Sequence, residues 1–466
     1  MTAFPSLRFL SLEYSGLGGR LFANELPNLP HLEVLRLSGN HFNGKLPMEV
    51  LASFRRLKVL DLSYNKFVGG ILSSIKSISS LNAVSFANNA LNGSLPKDGF
   101  CELKNLHELD LSYNMFDGNM PECFNKLSSL RVFDVSSNRF MRILLSSLID
   151  NLTSLEYVDF SNNISESSFS FSSLSALKKL EVFKLESENY KCEVETEEPK
   201  GWIPMFQLKI LVLSKCNIRR LIESVVPGFL LHQHKLRVLD LSHNSFDGRF
   251  PYWPIKNNTN LEVLILRNNS FQGVIHMALY KNANTRWLDV SGNHMLGEVP
   301  KGLFGVTEIR LSNNILHGEV LRNSSLGSTE ILHLDNNCFT GNIGNNTKEN
   351  SFLTILDISD NHFTGTIPRW ISNMLENAEL LVRNNNFEGQ FPCGKAFFTF
   401  LDLSQNSFSG PIPSCLILEN IKHLHFGSNK FTGFIPNAFR NLTKVLTLDI
   451  GHNYLSGTIP KFIGEL

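Results

Sequence analysis

The sequence predicts an α/β repeat solenoid, in which short strands stack coil upon coil into a long parallel β-sheet on the concave face. Three observations carry this. The hexapeptide LDLSYN stands at 60–65 and again at 109–114, with LDLSHN at 239–244, LDVSGN at 288–293, LDISDN at 356–361 and LDLSQN at 401–406. The underlying pattern L-x-L-x-x-N can be phased at nineteen positions from Ser15 to Asn453, spaced on average by about 24 residues. An apolar residue follows two places later, phenylalanine in eleven coils, and glycine keeps its place two residues beyond in fifteen.

Each letter of the coil has a physical task. Leucines such as Leu60 and Leu62 alternate inward on a short strand, and Asp61 between them points out. The asparagine turns into the coil interior, where its amide can satisfy backbone groups of its own and the adjacent coil. The pattern is broken at Ser15, Glu188 and Cys216, which hold that place without being asparagine. Phe42, Phe67, Phe116, Phe140, Phe246, Phe271, Phe339, Phe363, Phe387, Phe408 and Phe431 are expected to stack into a continuous aromatic spine. FNGKLP (42–47), FTGTIP (363–368) and FSGPIP (408–413) then bring a glycine suited to positive φ and a proline that ends strand pairing.

The consensus L-x-x-L-x-L-x-x-N-x-F-x-G-x-I-P resembles the plant-type leucine-rich repeat of cell-surface receptors, and its period lies in the roughly 20–29-residue range of such repeats. The stretches around Cys101 to Cys123 and Cys393 to Cys415 resemble plant receptor-like proteins in particular. The resemblance implies a right-handed superhelix with ligand and co-receptor contacts on its inner and lateral faces. Three segments are expected: regular repeats over 1–138, irregular repeats over 139–235 with an acidic insertion at 186–204, and regular repeats over 236–466. The family's paired-cysteine cap is absent from the start, and the chain begins and stops inside a coil. It is therefore read as part of an ectodomain or as a truncated product.

Composition narrows the function. Lys plus Arg and Asp plus Glu number 43 each, so the balanced charge gives no electrostatic case for nucleic acid or an anionic membrane. No apolar run approaches the ~20 residues of a membrane span, and MTAFPSLRFLSLEYSG (1–16) lacks the pattern of a signal peptide. GLGG (16–19) is followed by no strand-loop-helix unit with a lysine, and no nucleophile elbow, zinc-protease or kinase motif occurs. The chain is expected not to be an enzyme and to need no cofactor.

Departures from the consensus on outward positions give the candidate site: Arg267, Trp287, Glu308, Arg310, His333, Glu379, Arg383, His423 and His425, all expected to project from strands of one concave face. Trp and Arg dominate binding hot spots; the plainer reading is drift of solvent-facing residues. His423 and His425 alone supply two ligands, too few for a metal centre, and no C-x-x-C pair exists, so no metal is expected. The nine aspartates between the leucines, Asp61 among them, recur with the consensus and read as scaffold. The acidic insertion reads as a solvated loop, or as a lateral docking surface near Tyr190 and Trp202.

Cys393 and Cys415 fall at the same phase of neighbouring coils, and Cys101 and Cys123 one coil apart, so two disulfides are expected. Cys216 reads as a reduced core residue, and Cys192 and Cys338 have no evident mates. Glycosylation is expected at Asn92, Asn151, Asn257, Asn268, Asn323, Asn345 and Asn441, whereas the sequon at Asn163 is excluded by its ladder position. The functional expectation is the ligand- or partner-binding part of a plant cell-surface receptor-like protein, on the extracellular side of the plasma membrane. It would bind an extracellular peptide or protein and signal through a co-receptor kinase in defence or development. The alternatives are a secreted inhibitor of microbial wall-degrading enzymes, built from the same repeats but usually in about half as many coils, or a non-functional truncated product.

Overall fold

The computed structural model describes residues 4–465, apart from 5, 22–28, 143–144, 150, 164–166, 188–191, 196–201, 220–225, 253–255, 276–283, 323–325, 346–351, 376 and 395–396. The chain divides into two compact units, Met1–Ser245 and Phe246–Leu466. In each unit every coil contributes one short strand to a long parallel sheet, in sequence order. In the first unit these run from Phe9–Ser11 through Val34–Arg36 and Val59–Asp61 to Val238–Asp240, with Leu35 facing Leu60 and Leu60 facing Val84 across the ladder. In the second they run from Val263–Ile265 to Thr447–Asp449. Leu57, Leu60 and Leu62 are fully buried; a leucine so buried contributes roughly 1.5–3 kcal/mol.

The ladder asparagine ties coil to coil. Asn65 donates to the carbonyl of Leu37 one coil back at 2.9 Å and to Leu62 and Ser63 of its own coil at 3.2 and 3.0 Å. Its carbonyl oxygen accepts from the Phe42 backbone at 3.0 Å. Asn40, Asn114, Asn138 and Asn361 repeat the arrangement. The residue just before it adopts left-handed backbone, as at Tyr64 (φ 53°), Tyr113 (φ 52°) and Asn384 (φ 51°). The outward aspartates brace this turn. Asp61, Asp110, Asp134 and Asp402 each accept from the backbone N–H and hydroxyl of the serine two residues on, at 2.6–3.1 Å. Each carboxylate is thereby occupied within its own coil.

Two sequence expectations are corrected. The aromatic spine is interrupted. In the first unit Phe42 stacks on Phe67 (ring centroids 6.5 Å apart) and Phe116 on Phe140 (6.4 Å), with Leu91 filling the coil between. In the second, Phe246 stacks on Phe271, and Phe339 to Phe431 forms an unbroken run at 6.2–6.3 Å; Met295 and Leu316 separate the two. The F-x-G segment is also more than a turn. Alongside a three-stranded sheet of the glycine-free segments Ser167–Ser170, Cys192–Glu195 and Asn217–Arg219, it builds most of two further parallel sheets beside the spine: six strands from Gly18–Arg20 to Arg139–Arg142 and ten from Asp247–Arg249 to Tyr454–Leu455. Glycine is carried inside these strands, Gly44 at φ +82° and Gly365 at φ +80°. The helical parts are single turns, mostly 3₁₀, such as Ser73–Ser77 and Glu122–Lys126, as a coil of this length leaves room for little more.

Candidate ligand-binding face

In the second unit the long sheet presents its outward side chains in rows set by the strand register. The first row runs Trp287, Glu308, Ile331, Ile355, Glu379, Phe400, His423 and Thr447. The second runs Asp289, Arg310, His333, Asp357, Leu381, Asp402, His425 and Asp449. Arg267 and Arg383 keep the outward phase but lie two residues past the ends of Val263–Ile265 and Ala378–Leu381 rather than on strands. Asp335 holds the same phase where most coils place serine.

The nine candidates share a face without forming one patch. Arg267, Arg310 and His333 line a cleft of about 240 Å³ together with Asn268, Asp335 and Asp357. Glu308 reaches across from the first row and accepts from Arg310 Nε at 2.6 Å. Trp287 stands beside Glu308 with its indole N–H buried and without an acceptor among the described residues, a condition worth about 1–3 kcal/mol of lost stability. Further along, His423 Nδ1 and His425 Nε2 each lie 2.8 Å from the Thr447 hydroxyl, and His425 Nδ1 is 3.5 Å from Asp402. Both rings pack on Phe400, at 5.0 and 5.6 Å between centroids. These histidines are thus tied into an aromatic cluster. Glu379 sits in the first row between the two groups.

The cleft separates charge. Two guanidinium groups line it along with His333, Asp335 and Asp357. Asp335 accepts a hydrogen bond from Ser312; burial, and then repulsion from Asp357, push its carboxyl above the usual range. His333 Nδ1 is 3.9 Å from Asp357 Oδ2. His333, Asp335 and Asp357 offer atoms within 4.8 Å of one another, a trio of metal-binding type that the sequence reading missed. Its one signal was aspartate in place of serine at 335. With Arg310 in the same cleft, a bound cation would be opposed by a fixed positive charge. The arrangement suits a ligand carrying carboxylate and amide groups together, as a peptide segment does. A larger cleft, about 1010 Å³, lies beside Cys101 and Cys123 and is lined by Lys97, Lys104 and Lys126 against Asp98, Glu102 and Glu122. That balance selects no charge.

Cys101 is bonded to Cys123 and Cys393 to Cys415, each with Cα atoms 5.7 Å apart. Asn92, Asn151, Asn345 and Asn441 are exposed and Asn257 is half-buried, whereas Asn323 lies outside the described residues. Asn163 is buried, with its amide spent on Val135, Phe160 and Ser161 carbonyls. Asn268 is exposed but lines the cleft, so glycan and ligand would compete for one space. In the acidic insertion Tyr190 lies outside the described residues, and Trp202 packs 6.4 Å from the buried ring of Phe206.

The chain matches the family model described as a leucine-rich repeat region over residues 1–232, and the Leucine Rich Repeat model at 235–256, 352–374, 397–417, 420–442 and 444–466. It is 30% identical to Cuscuta receptor 1 of Solanum lycopersicum over 363 residues, which is 65% of this chain and 32% of that protein. It is 35% identical to Receptor-like protein 14 of Arabidopsis thaliana over 361 residues, 64% of this chain and 36% of the relative. The matched part is thus about a third of either relative's length. Among solved structures it resembles the Arabidopsis receptor kinase HAESA in complex with the peptide hormone IDA and the co-receptor SERK1, with a TM-score of 0.74 and 28% identity, covering 99% of this chain and 77% of that one.

Proposed function

The chain belongs to the leucine-rich repeat family, in the form carried by plant receptor-like proteins, and from that premise we propose that it is the ligand-binding part of a cell-surface receptor. It receives an extracellular peptide or protein on the outer face of the long sheet, at the cleft lined by Arg267, Arg310 and His333. Its work is recognition rather than catalysis. Signalling passes to a co-receptor kinase, an arrangement supported by the likeness to a receptor kinase solved with both a peptide hormone and a co-receptor. No helix among the described residues is long and apolar enough to cross a membrane, so the anchor this reading requires is not among them.

The observation that carries the proposal is a cleft of divided charge lined by Arg267 and Arg310, with Trp287 on the adjacent strand opposite Glu308, on a sheet where aspartates such as Asp402 are occupied by their own coils. Arg and Trp supply planar, partly desolvated contact area, which makes them the residue types whose truncation most weakens binding. The test is a screen of synthetic plant extracellular peptides against the secreted chain, repeated with Trp287→Ala and Arg267→Ala. Either substitution should weaken the captured peptide at least tenfold. Unchanged affinity in both variants would contradict this placement of the site.

A further inference from the structure

The three-stranded lateral sheet holds a pair of cysteines that the sequence spacing concealed. Strand Cys192–Glu195 pairs with Asn217–Arg219 in parallel, Glu193 facing Asn217 and Val194 facing Ile218. One step back in the same register places Cys192 opposite Cys216. The two lie 4 and 0 residues from their repeat phases at Glu188 and Cys216, so counting along the chain does not align them; the lengthened coil slides them together. Each is 2% exposed, and the thiol of Cys192 is a hydrogen-bond partner of the thiol of Cys216. They are not joined in this structure.

We propose that Cys192 and Cys216 form a third intramolecular disulfide, closed during folding in an oxidising compartment. Adjacent parallel strands stand ~4.8 Å apart, inside the ~4.4–6.8 Å Cα range that a disulfide spans. Two other cysteine pairs of the same chain are already joined between neighbouring coils. The oxidant is a protein or small-molecule disulfide. The thiolate of one cysteine attacks it and releases one donor thiol, and the second cysteine displaces the other. The two cysteines lose two electrons and two protons, and the donor is reduced to two thiols. In the folded coil the hydrogen bond that the Cys216 S–H makes to Cys192, with burial, holds the Cys216 thiol protonated. Exchange therefore occurs before the coil closes, and the finished bond is shielded from reductants.

The bond has a mechanical rationale. At this coil the ladder amide is missing, and the Cys216 sulfur meets the Leu185 and Ser214 carbonyls only at 3.6 and 3.5 Å, where the next coil has Asn244 donating to Leu213 at 2.8 Å. A covalent tie replaces the lost hydrogen bonds and closes the loop that carries the acidic insertion.

Trypsin should release Cys192 in CEVETEEPK (192–200) and Cys216 in CNIR (216–219). The chain is expressed through a secretory host, denatured with an alkylating agent and no reductant, and digested. The expected product is these two peptides disulfide-linked, with one alkylated cysteine per chain, Cys338. The variant Cys192→Ser should then show two, the second at Cys216. Alkylation of both Cys192 and Cys216 in the wild-type chain, or linkage of either to another cysteine, overturns the proposal.

Discussion

At the scale of single residues, the structure separates side chains that hold the coil from those left for another task. Trp287 is the clearest of the second kind, because its indole N–H is buried without an acceptor among the described residues. Trp287→Phe removes that donor and keeps a ring, so it should be neutral or stabilising by about 1 kcal/mol in thermal unfolding while weakening ligand capture; a loss of several kcal/mol would mean the indole is a core element. Asp134 belongs to the first kind. Burial and then the neighbouring Asp159 raise its carboxyl to about 6 from the ordinary 3.8. The folded state therefore holds that proton more tightly, and the stabilisation is complete below pH 3.8 and lost as pH rises through 6. Asp134→Asn keeps the acceptor for Ser136 but cannot ionise. Relative to the variant, the wild-type chain should lose up to about 3 kcal/mol between pH 4 and 7 in denaturant unfolding, and parallel pH curves would refute this. If the cleft is in use, glycopeptide mapping should find Asn268 unmodified while exposed Asn92 and Asn441 carry glycan; full occupancy at Asn268 would remove the cleft as a ligand site.

At the scale of the coil, the leucine positions, the ladder asparagine and the phenylalanine were legible because each is a fixed letter at a fixed spacing. Their energetics can be tested at Asn65, whose amide serves four backbone groups. Asn65→Ala should cost about 3 kcal/mol, against less than about 0.5 kcal/mol for the exposed Asn43→Ala, measured by urea unfolding; equal costs would dismiss the ladder as an energetic element. What escaped the sequence lies where pairing depends on a partner coil. The six- and ten-stranded lateral sheets are built largely from segments with glycine at positive φ, which read as turns in isolation, and the Cys192–Cys216 apposition depends on a coil of altered length. Of the candidate face, the outward phase of all nine residues was legible from alternation. Their division into a charged cleft and a histidine–phenylalanine cluster was not, because it depends on cross-strand neighbours such as Thr447 opposite His423, which the letters of a single coil do not specify.

At the scale of the whole molecule, apolar side chains lie exposed in the early coils of the first unit and the late coils of the second. Phe4, Phe9 and Tyr14 are exposed in the first, and Leu446, Tyr454 and Ile459 in the second. Apolar coil faces of this kind drive association. The chain alone should self-associate at micromolar concentration in light scattering, and Leu446→Lys with Ile459→Lys should reduce it; no change would locate the contact elsewhere. Whether the outer face of the long sheet receives the ligand is decided by covering that face. Glu308→Asn together with Arg310→Thr introduces an N-x-T glycan acceptor at 308–310, on the strand that carries Arg310. Lys430→Asn introduces another at 430–432, on the exposed lateral strand Lys430–Gly433, as the control. The secreted variants, confirmed as glycosylated and folded, are incubated with plant extracellular wash fluid, and retained peptides are identified by mass spectrometry. The glycan at position 308 should abolish retention, and the glycan at position 430 should leave it intact. Retention that survives at 308 and is lost at 430 would place the binding surface on the lateral sheet instead.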